Sequence, residues 1–250
     1  TTVPSSTFNS ILSTVFASSI FSNVAAAEDE MIEVPGGTWL MGTSAADGRD
    51  GESPVRQVKV ESFQMDKYPV TNEDFSFVFE DFVPEVTRSK ITERIEPAGP
   101  ASGIKERMDF PVVHVSWTDA LKEEWEWAAR GGLEGRTYPW GNKFKGKRAN
   151  LWQGSFPEND TAEDGFHGVS PVSAFPAQNS YGLYDMLGNT WEWTSTPFRG
   201  SQKMFVLRGA SFIDTVDGSA NHKAGITTRM GNTPDSASDN LSFRCAASTL

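Results

Sequence analysis

The sequence predicts a single α/β (α+β) domain in which helices and strands are few and short. Its 250 residues suit one large domain or two small ones and are ample for a sizeable core. The 22 glycines and 14 prolines break the chain into segments too short for long helices or strands. Eight tryptophans accompany these glycines, and large rings buried beneath loops can order them. The sequence shows no solenoid repeat and no linker after residue 30.

Residues 1–30 are expected to be a signal-like or disordered segment that precedes the domain at residues 31–250. Residues 1–27 carry no charged side chain, and their apolar stretch ends in small residues at 24–27. This pattern resembles a secretion signal with its cleavage site, and a disordered tail is the alternative. Serine and asparagine interrupt the stretch too often for a membrane span.

Short strands are predicted in both halves of the domain. A turn signal at residues 34–37 precedes an apolar run at residues 38–42. Residues 57–63 alternate between apolar and polar side chains, as a half-buried strand does. Residues 206–208 and 242–245 are typical of short buried strands.

Two helices are predicted. Thr71 and Asp74 have the spacing of a capping box, which would begin a short helix toward Phe82. The clearer helix spans residues 119–130, where apolar side chains recur on one face and two glycines follow.

Charge and cysteine content exclude several function classes. Acidic residues outnumber basic ones by 33 to 22, so nucleic acid is not an expected partner. The chain has one cysteine, Cys245, which excludes an intrachain disulfide, a CxxC zinc site and a two-thiol redox centre. His114, His167 and His222 do not stand at metal-ligand spacing, and no phosphate-loop or serine-nucleophile motif is present.

Two acidic, glycine-containing segments could hold calcium. One spans residues 159–168, and the other spans residues 185–192. Calcium prefers oxygen ligands from such loops, but the EF-hand spacing is absent. From the residues alone, a solvated acidic loop is therefore favoured over a metal site.

A set of tryptophan- and glycine-rich segments, in order along residues 31–248, resembles the sulfatase-modifying factor family, whose type member is the formylglycine-generating enzyme. The segments are residues 35–43, 68–72, 111–120, 124–132, 138–142, 150–154, 163–168, 181–193, 232–235 and 243–247. The resemblance implies the family's C-type-lectin-like fold, which is poor in regular secondary structure.

The resemblance further places the chain in the inactive branch of that family. Active members oxidise a sulfatase cysteine to formylglycine with a pair of cysteines that bind Cu(I), an ion that prefers soft thiolates. The corresponding residues 208–222 contain no cysteine, so neither catalysis nor copper is expected. Ser211 matches a serine of the family's substrate pocket and is expected to be a remnant of it.

Two structural calcium sites are also implied by the resemblance. The first calcium set consists of Asn150, Leu151, Asp164 and Phe166. The second calcium set consists of Asp185, Gly188, Thr190 and Glu192. Two members of each set would contribute backbone carbonyls, namely Leu151 and Phe166 in the first and Gly188 and Thr190 in the second. With the resemblance, calcium is favoured over a solvated loop.

The chain departs from the family's pattern by what look like internal deletions. Ala120 leads directly into Leu121, where family members continue through a helix with a cysteine. That cysteine would be the disulfide partner of Cys245. Relative to the family's pattern, shorter aromatic-rich stretches are missing after residue 74 and between residues 95 and 97. Skipped exons or a faulty gene model would explain these departures, and a divergent protein is the alternative.

The implied function is that of an inactive paralogue in the endoplasmic reticulum lumen. Such a protein would bind sulfatases or the active enzyme and inhibit sulfatase activation, and a homodimer is implied as well. The alternative is a metal-dependent oxidoreductase of the same fold with ligands other than cysteine. A lectin is a weaker third interpretation, by fold analogy alone. Of the two glycosylation sequons, Asn159-Asp160-Thr161 is favoured over Asn240-Leu241-Ser242, which adjoins a predicted buried strand.

Overall fold

A computed structural model describes residues 31–44, 53–74, 107–113, 124–198, 203–219 and 222–249. Its elements, in chain order, are β1 (Met31–Val34), β2 (Gly37–Met41), β3 (Arg56–Val60), β4 (Phe63–Asp66), α1 (Glu124–Arg130), β5 (Gly154–Ser155), β6 (Asn159–Asp160), β7 (Trp191–Phe198), β8 (Met204–Arg208), β9 (Arg229–Asn232), β10 (Leu241–Ser242) and β11 (Ala246–Ser248). The prediction of an α/β domain with few and short elements is confirmed.

Two sheets organise these elements. One has the order β1-β4-β11, so the last described strand pairs antiparallel with β4 near the start of the domain. The other has the order β10-β7-β8-β9 and is antiparallel except for the parallel pair of β10 and β7. Two-stranded ribbons form from β2 with β3 and from β5 with β6.

Tryptophan side chains lie at the centre of the core, as the tryptophan- and glycine-rich sequence predicts. Trp39 and Trp125 belong to one apolar cluster, which β1 to β4 share with α1. Trp191 and Trp193 belong to a second cluster, together with Leu207 on β8. Truncation of a buried aromatic side chain to alanine typically costs about 3–5 kcal/mol, so these rings hold much of the loop-rich structure together.

The strand predicted over residues 57–63 is confirmed in position but is divided in two. Val58 and Val60 share the buried face of β3, as the alternation predicts. The chain then passes through residues 61–62 and continues as β4, which belongs to the three-stranded sheet β1-β4-β11.

The predicted helix of residues 119–130 is confirmed at its C-terminal part as α1. Its inner face buries Trp125, Ala128 and Ala129, and residues 119–123 lie outside the described parts. The capping box is confirmed as well, because the Asp74 carboxylate accepts from the Thr71 amide while the Asp74 amide donates to the Thr71 hydroxyl. The rest of the helix toward Phe82 lies outside the described residues.

The predicted strand at residues 242–245 is wrong beyond Ser242. Beyond Ser242, the backbone no longer pairs with β7. Instead, the Val70 amide donates to the Phe243 carbonyl, and the Asp66 amide donates to the Cys245 carbonyl. These contacts bend the chain from one sheet to the other. In the parts of the chain that can be described, no helix has the length and apolar character needed to cross a membrane.

Candidate functional site

The residues of both calcium sets lie in or next to the long irregular segment between α1 and β7. In the described structure, the two-residue strands β5 and β6 alone interrupt this segment. Hydrogen bonds from side-chain amides, rather than between strands, hold the backbone of this segment in place. Gln178, for example, donates to the carbonyls of Arg148 and Leu187 and accepts from the Leu187 amide. Such bonds fix backbone carbonyls without placing them in strands.

Two members of the first calcium set, Leu151 and Phe166, contact the Asp164 carboxylate through their backbone amides. One of its oxygens accepts from the Leu151 amide at 3.1 Å, and the other accepts from the Phe166 amide at 3.1 Å. Burial raises the pKa of Asp164, the two amide bonds oppose this, and the neighbouring Asp160 carboxylate raises it further. A half-buried carboxylate beside a second carboxylate favours a bound cation.

The second calcium set surrounds two buried carboxyl groups, Asp185 and Glu192. The Asn189 side-chain amide donates to Asp185 at 2.9 Å. Burial raises the pKa of Asp185 to about 7, because the hydrogen bond from Asn189 and the charge of Arg244 offset only part of the desolvation and Glu192 adds to it. Further positive charge near Asp185 would favour its ionised form.

Glu192 is already held by two partners. Arg244 binds its carboxylate through both oxygens, with Nη2 at 2.6 Å and Nε at 2.8 Å, and the Trp125 indole donates at 2.6 Å. The same guanidinium donates to the carbonyls of Asp66 and Tyr184. This buried bidentate ion pair therefore ties β7 to the end of β4 and to the loop before Asp185.

Asn189 joins the two calcium sets and was missed by the sequence analysis. The backbone amide of Asn189 donates to the backbone carbonyl of Asn150 at 2.9 Å, and the side-chain oxygen of Asn189 accepts from the Asn150 side-chain amide at 3.1 Å. The same oxygen accepts from the Ser170 amide. The Gly188-Asn189 pair was the available signal, since asparagine tolerates the positive φ of 66° found here.

Gly188 permits the close approach of the two sets. Its φ of 89° is in the left-handed region, and a Cβ at this position would lie 2.5 Å from the Asn150 carbonyl oxygen. A side chain at position 188 would therefore push the two loops apart.

The oxygen supply at both sets fits calcium. The first set offers a carboxylate, an amide side chain and two carbonyls. At the second set, a Cβ on Gly209 would lie 3.3 Å from the Trp125 ring and 3.4 and 3.8 Å from the carbonyl oxygens of Met186 and Thr190, so both oxygens lie close to Gly209. Thr190 Oγ1 is buried and has no hydrogen-bond partner among the described residues. Calcium takes six to eight oxygen ligands, and water would supply the rest. Calcium at these sets stays a prediction.

The predicted pocket remnant, Ser211, lies in the interior. Its hydroxyl donates to the Asp214 carboxylate at 2.9 Å, and its amide donates to the same oxygen at 2.8 Å. The Asn240 side chain in turn donates to the Ser211 hydroxyl. Burial raises the pKa of Asp214, and the bonds from Ser211 oppose the shift. Ser211 therefore belongs to a buried polar cluster with Asp214 and Asn240.

The cysteine and the histidines occupy separate places. The Cys245 amide donates to the Asp66 carboxylate at 2.7 Å, at the edge of the sheet that contains β4. His167 lies 3.3 Å from the Asp160 carboxylate, the His222 ring packs against Trp191, and His114 lies outside the described residues. Across the described ranges, no group of three or more histidine, cysteine or acidic side chains is arranged to hold a metal ion.

Comparison with known proteins supports one family over nearly the whole chain. A family profile, the Sulfatase-modifying factor enzyme 1-like domain, matches residues 17–249. The Inactive C-alpha-formylglycine-generating enzyme 2 of Bos taurus is 56% identical over 263 residues, which cover 87% of this chain and 87% of that protein. The Formylglycine-generating enzyme of Mus musculus is 38% identical over 284 residues, which cover 88% of this chain and 76% of that protein.

Two further points follow from the comparisons. The structure of PvdO from Pseudomonas aeruginosa shows the same fold. It matches with a TM-score of 0.66 at 22% identity, and the match covers 88% of this chain and 94% of that one.

The alignment with the Bos taurus protein spans 263 positions but includes only 87% of the 250 residues of this chain. That relative therefore contains internal residues that have no counterpart here.

Proposed function

The chain belongs to the sulfatase-modifying factor family, and on this premise we propose that it is a non-catalytic paralogue acting in the endoplasmic reticulum lumen. It binds sulfatases, the active formylglycine-generating enzyme or both, and thereby limits formylglycine formation. Its greater similarity to a relative named inactive, 56% against 38% for an active one, supports the loss of catalysis.

One observation carries the non-catalytic part of the proposal, namely the position of the chain's one cysteine. Cys245 is bonded through its backbone to Asp66, whereas residues 208–222 contain no thiol. Where the active enzyme has its cysteine pair, the described part of this segment has oxygen-bearing side chains such as Ser211 and Asp214. Copper-dependent oxidation of a substrate cysteine requires soft ligands, which these oxygens do not supply.

The framework beneath that segment supports binding without turnover. Arg208, at the end of β8, lies 3.3 Å from the buried Glu126 carboxylate, which also pairs with Arg130 at 2.7 Å. Because Glu126 and Arg130 belong to α1, this ion-pair network fixes the strand that leads into residues 209–219. The exposed part of this segment, at residues 217 and 219, is therefore held on a fixed framework, and a partner could bind there in the absence of catalytic groups.

The test is a pull-down of the luminal form with sulfatases and with the active enzyme. We expect a sulfatase or the active enzyme to be retained, and we expect the formylglycine fraction of a co-expressed sulfatase to fall. A sulfatase with alanine in place of its motif cysteine separates recognition of the motif from recognition of the surface. Absence of binding to both partners, with an unchanged formylglycine fraction, would contradict the proposal.

We also propose that calcium is structural at both sets and that the protein forms a homodimer. The support for calcium is the half-buried Asp164 carboxylate, the raised pKa of Asp185 and the Thr190 hydroxyl, which has no hydrogen-bond partner in the described parts of the chain. When bound, calcium would link the two loops through Asp164 and Asp185 and their neighbouring carbonyls. Sedimentation of the purified protein tests the dimer. The alternative of an oxidoreductase with other ligands gains no support from the described residues.

A further inference from the structure

The two glycosylation sequons occupy contrasting environments. Asn159 is the first residue of β6 and is exposed, whereas Asn240 is 9% exposed beside β10. The sequence motif treats both as equal acceptors. In the structure, only the first of the two asparagines is exposed to solvent.

The side chain of Asn159 is directed away from the contacts that hold its hairpin. Asn159 pairs across the hairpin with Ser155, which is exposed as well, and the two side chains leave from the same face. A substituent on the Asn159 amide therefore extends into solvent.

The residues that follow Asn159 hold the hairpin in place. One oxygen of the Asp160 carboxylate accepts from the amides of Gln153 and Ala162, both at 3.1 Å. The Thr161 hydroxyl donates to the Gln153 carbonyl at 2.8 Å. None of these bonds uses the Asn159 side chain, so its modification leaves them intact.

Asn240 is held by the interior. Its side chain donates to the Ser211 hydroxyl at 3.3 Å, and its carbonyl accepts from the Trp191 amide at 2.8 Å. The third residue of its sequon, Ser242, is fully buried. An oligosaccharide on Asn240 would require the Ser211–Asp214 cluster to open.

We propose that Asn159 carries an N-linked glycan and that Asn240 does not. The inference rests on the proposed function in one respect, the entry of the chain into the endoplasmic reticulum. The co-reactant is an oligosaccharide linked to a lipid pyrophosphate. A bond forms between the Asn159 amide nitrogen and C1 of the first sugar, the bond from C1 to the pyrophosphate breaks, the amide loses one proton, and the lipid pyrophosphate leaves.

The test uses the whole chain behind the cleavable leader of a secreted protein, with an added C-terminal reporter sequon. Asn159→Gln and Thr161→Ala both destroy the first sequon, but only Thr161→Ala also loses the bond to Gln153. Thr161→Ser keeps the sequon and the hydroxyl. Ser242→Ala destroys the second sequon and removes only a buried hydroxyl that has no hydrogen-bond partner among the described residues.

Mobility before and after peptide N-glycosidase treatment counts the glycans. We expect two glycans, the reporter's and one other, on the unmodified chain, on Thr161→Ser and on Ser242→Ala. We expect only the reporter's glycan on Asn159→Gln and on Thr161→Ala. A single glycan on the unmodified chain, or the loss of a glycan in Ser242→Ala, overturns the inference.

Fractionation of cells that produce the protein tests the location separately. If the protein is absent from the endoplasmic reticulum fraction while the leader-fused chain carries the Asn159 glycan, the proposed location fails and the glycosylation inference stands. If the protein is found in that fraction while the leader-fused chain carries the reporter's glycan but not the Asn159 glycan, the reverse holds.

Discussion

The two calcium sets hold their carboxylates by different means. In the first, Asp164 is bonded by backbone amides, and within the described ranges no cationic side chain pairs with it. In the second, Glu192 is bound by Arg244 through both oxygens and by the Trp125 indole. The protein itself thus supplies a positive charge at the second set, whereas at the first set such a charge would have to come from a bound cation. We infer that the first set is the more sensitive of the two to calcium.

Arg244→Met is expected to have the largest effect, because it leaves the buried Glu192 carboxylate without its ion pair. Breaking a buried pair on one side costs about 3–5 kcal/mol, which chemical denaturation can measure. Lys59→Met is the matched control, since it removes an equally short but exposed pair with Glu61. Solvent screens this pair, so the variant should unfold close to the unmodified protein. Equal losses in the two variants would contradict the structural role of Arg244.

A pH titration of stability tests the carboxyl group beside the same arginine. Burial raises the pKa of Asp66 from 3.8 to about 6, against the hydrogen bond from Cys245 and the charge of Arg244. The folded protein therefore holds this proton to higher pH than the unfolded chain does, and the stability that it contributes is present below pH 4 and lost as the pH rises to about 6.

The expected size of this effect is about 3 kcal/mol. Asp66→Asn, which keeps an oxygen to accept from the Cys245 amide, should lack that part of the pH dependence. The measurement is the free energy of unfolding of both proteins between pH 4 and pH 8 in the absence of calcium. Parallel curves for the two proteins would show that Asp66 ionises normally in the fold.

Calcium removal compares the two sets directly. A ligand at 100 times its dissociation constant stabilises by about 2.7 kcal/mol, so EGTA should lower the melting temperature of the unmodified protein. Asp164→Asn should abolish more of this difference than Asp185→Asn, and the exposed neighbour Glu163→Gln should change none of it. A melting temperature that is unchanged by EGTA would count against calcium at both sets, and the reverse order of the two asparagine variants would refute the comparison.

The smallest effect is expected for Thr190→Val. The Thr190 hydroxyl is buried and has no hydrogen-bond partner among the described residues, so an isosteric methyl group in its place removes no protein contact. Without calcium, the change in unfolding free energy should stay within about 1 kcal/mol. A loss greater than this would show that a bound water or ion engages the hydroxyl.

The sequence predicted the fold well where local patterns decide the structure. The alternation around Val58 and Val60, the capping box at Thr71 and the buried face of α1 follow from residue order alone. Position 243 shows the limit, because long-range bonds from Asp66 and Val70 bend a segment that locally resembles a strand.

The site was less accessible to sequence reasoning. The residues of both calcium sets came from the family resemblance, since their spacing alone favoured solvated loops. The Arg244–Glu192 pair and the bridging role of Asn189 join residues far apart in the chain. No local pattern records such pairs, because they arise only when distant segments of the chain pack together.

Mass spectrometry of a peptide with the sulfatase motif Cys-x-Pro-x-Arg, incubated with the purified protein and Cu(I), tests the loss of catalysis most directly. A parallel incubation with the active enzyme shows that the conditions support turnover. We expect the active enzyme to convert the cysteine to the aldehyde and this protein to leave it unchanged, because residues 208–222 contain no thiol. Aldehyde formed by this protein, above the level seen with Cu(I) alone, would contradict its assignment as a non-catalytic paralogue.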